Sequence, residues 1–502
     1  MHDFNIYDIF KRNASLYPHS KALVFEGLYL TCDELLQQVN GLAESFEEQG
    51  IGKGDRIAIL AHNNYQFFIL FGAASALGAV LVPLNWRLSE NEIQYILEDS
   101  SPKILVADDH MGEELRKNVK IKMPEMEVID IDSENPDNFF MDDLINPESD
   151  FVQTEFVGTD DPFCIIYTAA VQGKPRGAVL SHGNFIFGNM QTIAEMGLTC
   201  DDVYLNMLPL FHITGLNLAL SVMHAGGKNV IIEKFDEKLT IEQTEKEKVS
   251  LWGSFPPILS RILAELDNTK ADISSLRQVL GIDSPENIEL FEKKTGAVFW
   301  ILYGQTETSG LAAFSPSSKK PGSAGTPGLL TKVKIVDENN NQVPAGQTGE
   351  IAVQGPLVFQ GFWNQGKPDK KTIKGSWHYT GDTGAMDEES FLWFKGRKPE
   401  KELIKPGGEN VYPAEVEAVI LEHPAVADVS VIGVPDPKFG EGIKAVCLLH
   451  PGKSLKPGEL SEFVASKIAR YKKPGYVEFV KQIPKKPDGQ TDRDKVKELY
   501  GK

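Results

Sequence analysis

Between residues 56 and 107 the chain repeats one pattern of short apolar runs joined by longer segments, and that pattern restricts the fold more than any other feature. Arg56-Ile57-Ala58-Ile59-Leu60 reads as a buried strand, residues 67–79 as a helix, and Val80-Leu81-Val82-Pro83-Leu84 as the next strand. Lys103-Ile104-Leu105-Val106-Ala107 repeats the strand pattern. Strand, helix and strand in succession make a βαβ unit, and with it a parallel sheet. Phe67 to Leu84 is uncharged for eighteen residues, the lower limit for a membrane span. Its Gly and Ala content and Pro83 fit a packed helix followed by a strand better, so no stable membrane insertion is expected.

A chain of 502 residues exceeds one ordinary core and predicts two to four domains. Asp plus Glu number 71 against 51 for Lys plus Arg, a formal net charge of −20. Such a surface repels nucleic acid and anionic membrane, so cations that serve function must be local. Cys32, Cys164, Cys200 and Cys447 lie far apart without metal-binding spacing and read as reduced thiols of a cytoplasmic protein. Met1-His2-Asp3-Phe4-Asn5 carries no secretory signal pattern.

Residues 5–50 read as helices flanking a short hairpin, with Leu35, Val39, Leu42 and Phe46 at helical spacing. Residues 130–160 are acidic and irregular and read as a surface connection. Phe163-Cys164-Ile165-Ile166-Tyr167 then feeds a loop carrying Gly173, Lys174, Arg176 and Gly177, and a helix pattern begins near Ser181. At a strand-to-helix turn, that loop offers backbone N–H groups and two cations to a polyphosphate. Taken alone, the same residues fit an ordinary solvated turn.

Further motifs follow in order: Tyr303-Gly304-Gln305-Thr306-Glu307, Tyr379-Thr380-Gly381-Asp382, Gly396-Arg397, and Gly407-Gly408-Glu409-Asn410-Val411-Tyr412-Pro413-Ala414-Glu415-Val416-Glu417. With the loop, this series resembles the AMP-forming acyl-CoA synthetase, or adenylate-forming, superfamily over essentially the whole chain. The resemblance implies an α/β fold with a large N-terminal part of parallel α/β sheets and a distorted β-barrel, followed by a small mobile α+β domain. Residues 1–396 are expected to form the AMP-binding domain, 397–404 a hinge, and 405–502 the C-terminal domain. From Pro413 to Ile468 the order helix, strand, strand, helix fits the last of these.

The implied activity is that of an acid–thiol ligase. A carboxylic acid is joined to AMP from ATP, and coenzyme A then takes the acyl group. By resemblance, Gly173, Lys174, Arg176 and Gly177 cradle phosphate, and Thr306 offers a hydroxyl to the α-phosphate. Glu307 offers a carboxylate to Mg²⁺, which prefers oxygen ligands. Tyr303, beside Gly304, supplies an aromatic face for adenine; Asp382 accepts the ribose hydroxyls, and Arg397 donates on the ribose side. Gly407 and Gly408 admit the pantetheine arm. His212 borders the acyl pocket, and the segment Trp252–Pro257 lines the acid tunnel, opening a helix. Without the series, Asp382 would read as a turn residue and His212 as a packed core residue.

The sequence also departs from the family pattern. Ala169, Ala170, Val171 and Gln172 stand where hydroxylated residues and Gly are usual, and Gly281-Ile282-Asp283-Ser284-Pro285 replaces a Gly-Gly-Ala-Pro loop. Gln490 stands where the family has a lysine that reaches the carboxylate and α-phosphate, with Lys485 and Lys486 nearby. An amide cannot neutralise charge developing at phosphorus. These departures leave an alternative to the ligase, an adenylation-impaired member that binds acyl-CoA or acyl-AMP and does thioester chemistry without ATP or is a non-catalytic binding protein; a third class loads a carrier protein's phosphopantetheine thiol.

Overall fold

The computed structural model describes residues 3–109, 111–131, 140–168, 175–364, 372–398, 403–437, 439–486 and 491–501. Among these residues the strands form four sheets. One sheet runs in the order Gly361–Phe362, Arg176–Ser181, Pro162–Thr168, Val80–Pro83, Arg56–Leu60, Ile104–Ala107, Glu127–Asp130. Its last five strands are mutually parallel, as the βαβ reading requires. A nine-stranded sheet runs Thr326–Pro327, Ala313–Pro316, Val298–Tyr303, Gln278–Gly281, Leu251–Ser254, Val203–Asn206, Lys228–Ile231, Lys21–Phe25, Leu28–Thr31, parallel through its centre.

Both sheets feed one apolar core. Between them lies the helix Gln66–Leu77, with every residue buried. An apolar composition all round leaves such a helix no solvent face. The helix Cys32–Glu48 packs on it, and at Gly72 an added Cβ would lie 2.4 Å from Val39 Cγ2. Leu35, Val39, Leu42 and Phe46 point into this core as their spacing indicated. No helix among the described residues is long and apolar enough to cross a membrane.

Residues 332–397 form the antiparallel sheet Lys332–Val336, Gly349–Gln354, Trp377–Met386, Ile373–Lys374, with Leu392–Arg397 also on Trp377–Met386. The expected distorted barrel therefore takes the form of an open sheet. The C-terminal part is the sheet Val426–Asp436, Gly440–Leu449, Tyr476–Val480 with the helices Pro413–Leu421, Pro457–Ala465 and Arg493–Tyr500, around its own core.

Three sequence expectations are corrected. Arg176 and Gly177, read as loop residues, lie in the strand Arg176–Ser181, antiparallel to Pro162–Thr168, while the helix His182–Met196 starts where the sequence placed it. The strand forms because Ala178-Val179-Leu180 is apolar and long enough to extend the ladder, and Ser181 caps the helix N-terminus six residues beyond Pro175. Trp252 opens no helix; it lies in the strand Leu251–Ser254, and the helix is Ile258–Leu266. The connection at 140–160 is not all surface, since Met141, Leu144 and Val157 are buried.

Candidate functional site

The strand Val298–Tyr303 delivers Tyr303 and Gly304 to the end of the nine-stranded sheet, and the chain turns at once through Thr306–Thr308. No side chain fits at Gly304, where a Cβ would lie 2.0 Å from the Gly310 carbonyl oxygen. Opposite, Trp377–Met386 and Leu392–Arg397 pair with Asp382 directly across from Arg397. The two sources meet at one carboxylate. The Tyr303 hydroxyl donates to Asp382 Oδ2 at 2.9 Å, and Gln305 Nε2 donates to the same oxygen at 2.7 Å and to the Thr380 carbonyl at 3.0 Å. Asp382 Oδ1 lies 3.3 Å from Arg397 Nε, and among the described residues it is buried without a hydrogen bond. A buried acceptor left open in this way is suited to a ligand's donors.

Burial, aided by the Asp382 charge, pushes the Tyr303 phenol well above its usual range, so it stays a donor. Its ring lies 6.2 Å from that of Phe394, over which the Arg397 guanidinium sits at 5.8 Å. Thr306 is buried, and Glu307 follows it in the same turn with its carbonyl accepting from Phe359 N at 3.0 Å. Arg176, at the start of its strand, stacks on Phe362 at 3.9 Å. Gly177 is required by packing, since a Cβ there would lie 2.4 Å from Ile165 Cγ2.

The C-terminal part closes over this array. Pro406–Gly408 form a tight turn with Gly407 at φ +60°, its N–H bonded to the Phe439 carbonyl at 3.0 Å. A cleft is lined by Tyr167, His212 and Thr306 on one side and by Glu409, Asn410 and Tyr471 on the other. Glu409 reaches across to Arg87 Nη1 and accepts from Asn85 Nδ2 at 3.2 Å. His212 stands at the N-cap position of the helix Ile213–Ala225, its side chain making no capping bond. Burial draws its imidazole below the usual value; Glu409 opposes this, and Lys405 and Arg87 reinforce it, so it is neutral near pH 7. Burial and the neighbouring Arg397 likewise draw Lys405 down to about 8, against Asp382 and Glu441. Tyr412 is pushed up to about 12, first by burial and then by Glu307. Gln305, Lys405 and Tyr412 are therefore neighbours of the site that residue chemistry alone did not single out, although each falls inside or beside a quoted motif.

Other expected residues lie elsewhere. Trp252 is fully buried, its Nε1 donating to Thr244 Oγ1 at 3.1 Å and its ring 5.9 Å from Phe291, so it packs in the core and lines no tunnel. Gly281 abuts the Ser254 carbonyl. Gly173, Lys174, Gln490 and the altered stretch Ala169–Gln172 lie outside the described residues. Lys485 is engaged by Asp428 at 2.6 Å and by Thr491 Oγ1 at 3.0 Å. Lys398 is held at 2.6 Å by Glu350, whose other oxygen accepts from Gly381 N, whereas Ile404 pairs with Val411 of the C-terminal part.

The family model described as AMP-binding enzyme matches residues 10–363, and that of the AMP-binding enzyme C-terminal domain matches residues 415–490. The chain is 32% identical over 498 residues to the indoleacetate–CoA ligase of Aromatoleum aromaticum, covering 98% of this chain and 97% of that one. Among solved structures it is similar to a double mutant of the o-succinylbenzoate CoA synthetase of Bacillus subtilis bound with its product analogue OSB-NCoA, at 28% identity and a TM-score of 0.87, over 99% of this chain and 98% of that one. The same enzyme in complex with the acyl-adenylate intermediate OSB-AMP gives a TM-score of 0.72, again at 28% identity, over 99% of each chain. The chain belongs to the AMP-binding enzyme family.

Proposed function

We propose that this chain is an AMP-forming carboxylic acid–CoA ligase. The acid's carboxylate attacks the α-phosphate of ATP and expels pyrophosphate, giving an acyl-adenylate. The thiol of coenzyme A then attacks the acyl carbon, losing its proton, and AMP leaves with the former carboxylate oxygen. The observation that carries this reading is the divided carboxylate of Asp382, one oxygen bonded by Tyr303 and Gln305, the other buried and open beside Arg397. That oxygen suits the ribose hydroxyls of AMP, with the Tyr303 ring beside adenine. Thr306 suits the α-phosphate, and Arg176, with Gly173, Lys174 and Gly177, the outer phosphates.

Glu307 is a single carboxylate, and the described residues hold no cluster of metal-ligating side chains around it. One protein carboxylate fits Mg²⁺ that takes its other ligands from substrate phosphate and water. Gly407 and Gly408, just before the cleft-lining Glu409 and Asn410, would leave room for a pantetheine arm to reach Thr306, with neutral His212 at the acyl side. Gln490 would face the site in the adenylating arrangement. Residues 1–396, 397–404 and 405–502 are the working division into AMP-binding domain, hinge and C-terminal domain, in a cytoplasmic protein. The test is pyrophosphate release from ATP and Mg²⁺ over a panel of carboxylic acids, followed by thioester formation on adding coenzyme A. No turnover at high enzyme concentration sinks the reading.

A second reading is favoured by Gln490 and by the commitment of Lys485 to Asp428. Under it the chain binds AMP or acyl-CoA and adenylates poorly. Titration with MgATP, AMP and an acyl-CoA separates the two, since binding of AMP or acyl-CoA without ATP supports the second.

A further inference from the structure

A second contact between the two parts lies in the cleft wall beside Tyr471. Glu92 stands in the first turn of the helix Glu90–Ser100 and closes a capping box, accepting from Ser89 N at 2.8 Å and Ser89 Oγ at 2.6 Å through Oε2. The same oxygen accepts the Ala469 N–H of the C-terminal part at 3.0 Å, and Oε1 meets Lys472 Nζ. Lys472 also donates to Glu415 Oε1 at 2.6 Å. The Lys472 side chain is 2% exposed, and those of Glu92 and Glu415 are 10% and 13% exposed. One buried ammonium is therefore shared by carboxylates from opposite sides of the junction. Burial disfavours its charge, but Glu415 and Glu92 outweigh that and hold Lys472 above its usual value.

The two carboxylates are not equivalent. Glu415 and Lys472 belong to the same part and stay paired wherever it moves, whereas Glu92 contributes only when the parts meet. An interaction made in one arrangement alone shifts the equilibrium toward that arrangement. The capping box fixes the Glu92 side chain beforehand, so docking orders little that was free. Lys472 and Tyr471 also line the cleft that holds His212 and Thr306, which places this contact in the wall of the site.

We propose that Glu92 is a positioning residue that latches the C-terminal part with Glu409 and Asn410 across the cleft from Thr306 and His212, the arrangement needed for thioester formation. The proposal rests on the ligase reading for its chemistry, and it acts on one half-reaction alone. Glu92→Gln keeps the capping box and the acceptor for Ala469 N–H, removes the charge facing Lys472, and leaves Lys472 its Glu415 partner, so the fold survives.

Two readouts test it. Spin labels go on Cys200, which is exposed while Cys32, Cys164 and Cys447 are buried, and on Leu499→Cys in the exposed last helix. The parent should give one narrow distance distribution, and Glu92→Gln should add a second population. Thioester formation from acid, ATP and coenzyme A should fall tenfold or more in Glu92→Gln, with acid-dependent pyrophosphate release within twofold of the parent. An unchanged distance distribution overturns the latch, as does parallel loss of both half-reactions, which would mark Glu92 as structural only. If the parent releases no pyrophosphate with any acid, the ligase reading fails while the distances still decide the latch.

Discussion

Asp382 divides its two oxygens: Oδ2 accepts from Tyr303 and Gln305, and Oδ1 faces the Arg397 guanidinium without a hydrogen bond. In Asp382→Asn the amide must turn its oxygen toward Tyr303 and Gln305, which leaves an NH₂ where ribose hydroxyls need an acceptor. AMP affinity should fall by about 1.5–3 kcal/mol, roughly 10- to 150-fold, by calorimetric titration. A loss below twofold would remove Asp382 from the nucleotide site. Single residues also set the acid limit of the fold. Burial lowers His182 and His224 to about 4, helped at His224 by Arg12 and opposed at His182 by Asp161. Each stays neutral when folded, while the unfolded imidazole binds a proton below about 6.5. Stability is therefore retained above that pH and lost as pH falls from about 6.5 toward 4, by about 1.4 kcal/mol per pH unit for each histidine. Melting temperatures measured from pH 7.5 to 5 should show this, and His182→Gln, which keeps an acceptor for the Ile6 N–H, should shrink the slope. At this scale the meeting of Tyr303, Asp382 and Arg397 was legible because motif order names them. Gln305 and Tyr412 were not, since their importance comes from which carboxylates they face.

At the scale of elements, the hairpin of Pro162–Thr168 and Arg176–Ser181 depends on Gly177, where an added methyl would lie 2.4 Å from Ile165 Cγ2 and 3.1 Å from the Tyr167 ring. Gly177→Ala should cost about 1–3 kcal/mol by overpacking and lower the melting temperature by several degrees; an unchanged value would mean the strand yields freely. The parallel strands around residues 56–107 could be read from sequence because each is a short run that is apolar apart from Arg56, with the helix Gln66–Leu77 between the first two. The strand Arg176–Ser181 was missed because its cation and glycine look like loop residues, and only pairing with a neighbour makes them a ladder. Trp252 was misplaced for a related reason: which face of a buried strand meets the core and which meets a tunnel is decided by the surrounding layers. The strand Tyr476–Val480 and the helix Arg493–Tyr500 carry weak local patterns and are held by contacts with distant segments, the strand pairing parallel to Gly440–Leu449.

For the molecule as a whole, the arrangement places Glu409 and Asn410 across the cleft from Thr306 and leaves Lys485 on Asp428, whereas Gln490 lies outside the described residues. If Gln490 limits adenylation, Gln490→Lys should raise the rate of acid-dependent pyrophosphate release on the order of 10²–10³-fold, leaving transfer to coenzyme A unchanged. An equal rate in both proteins would show that another group already supplies the charge. The N-terminal part has a further property, set by the helix Gln66–Leu77, all of whose residues are buried. Its covering strand Pro162–Thr168 and the hairpin partner Arg176–Ser181 leave the ribosome only after another hundred or so residues, roughly 5–20 s later at ordinary synthesis rates. Through that interval the nascent chain carries an apolar cylinder with no completed sheet to rest on, which makes this segment the natural holding site for a chaperone during biosynthesis.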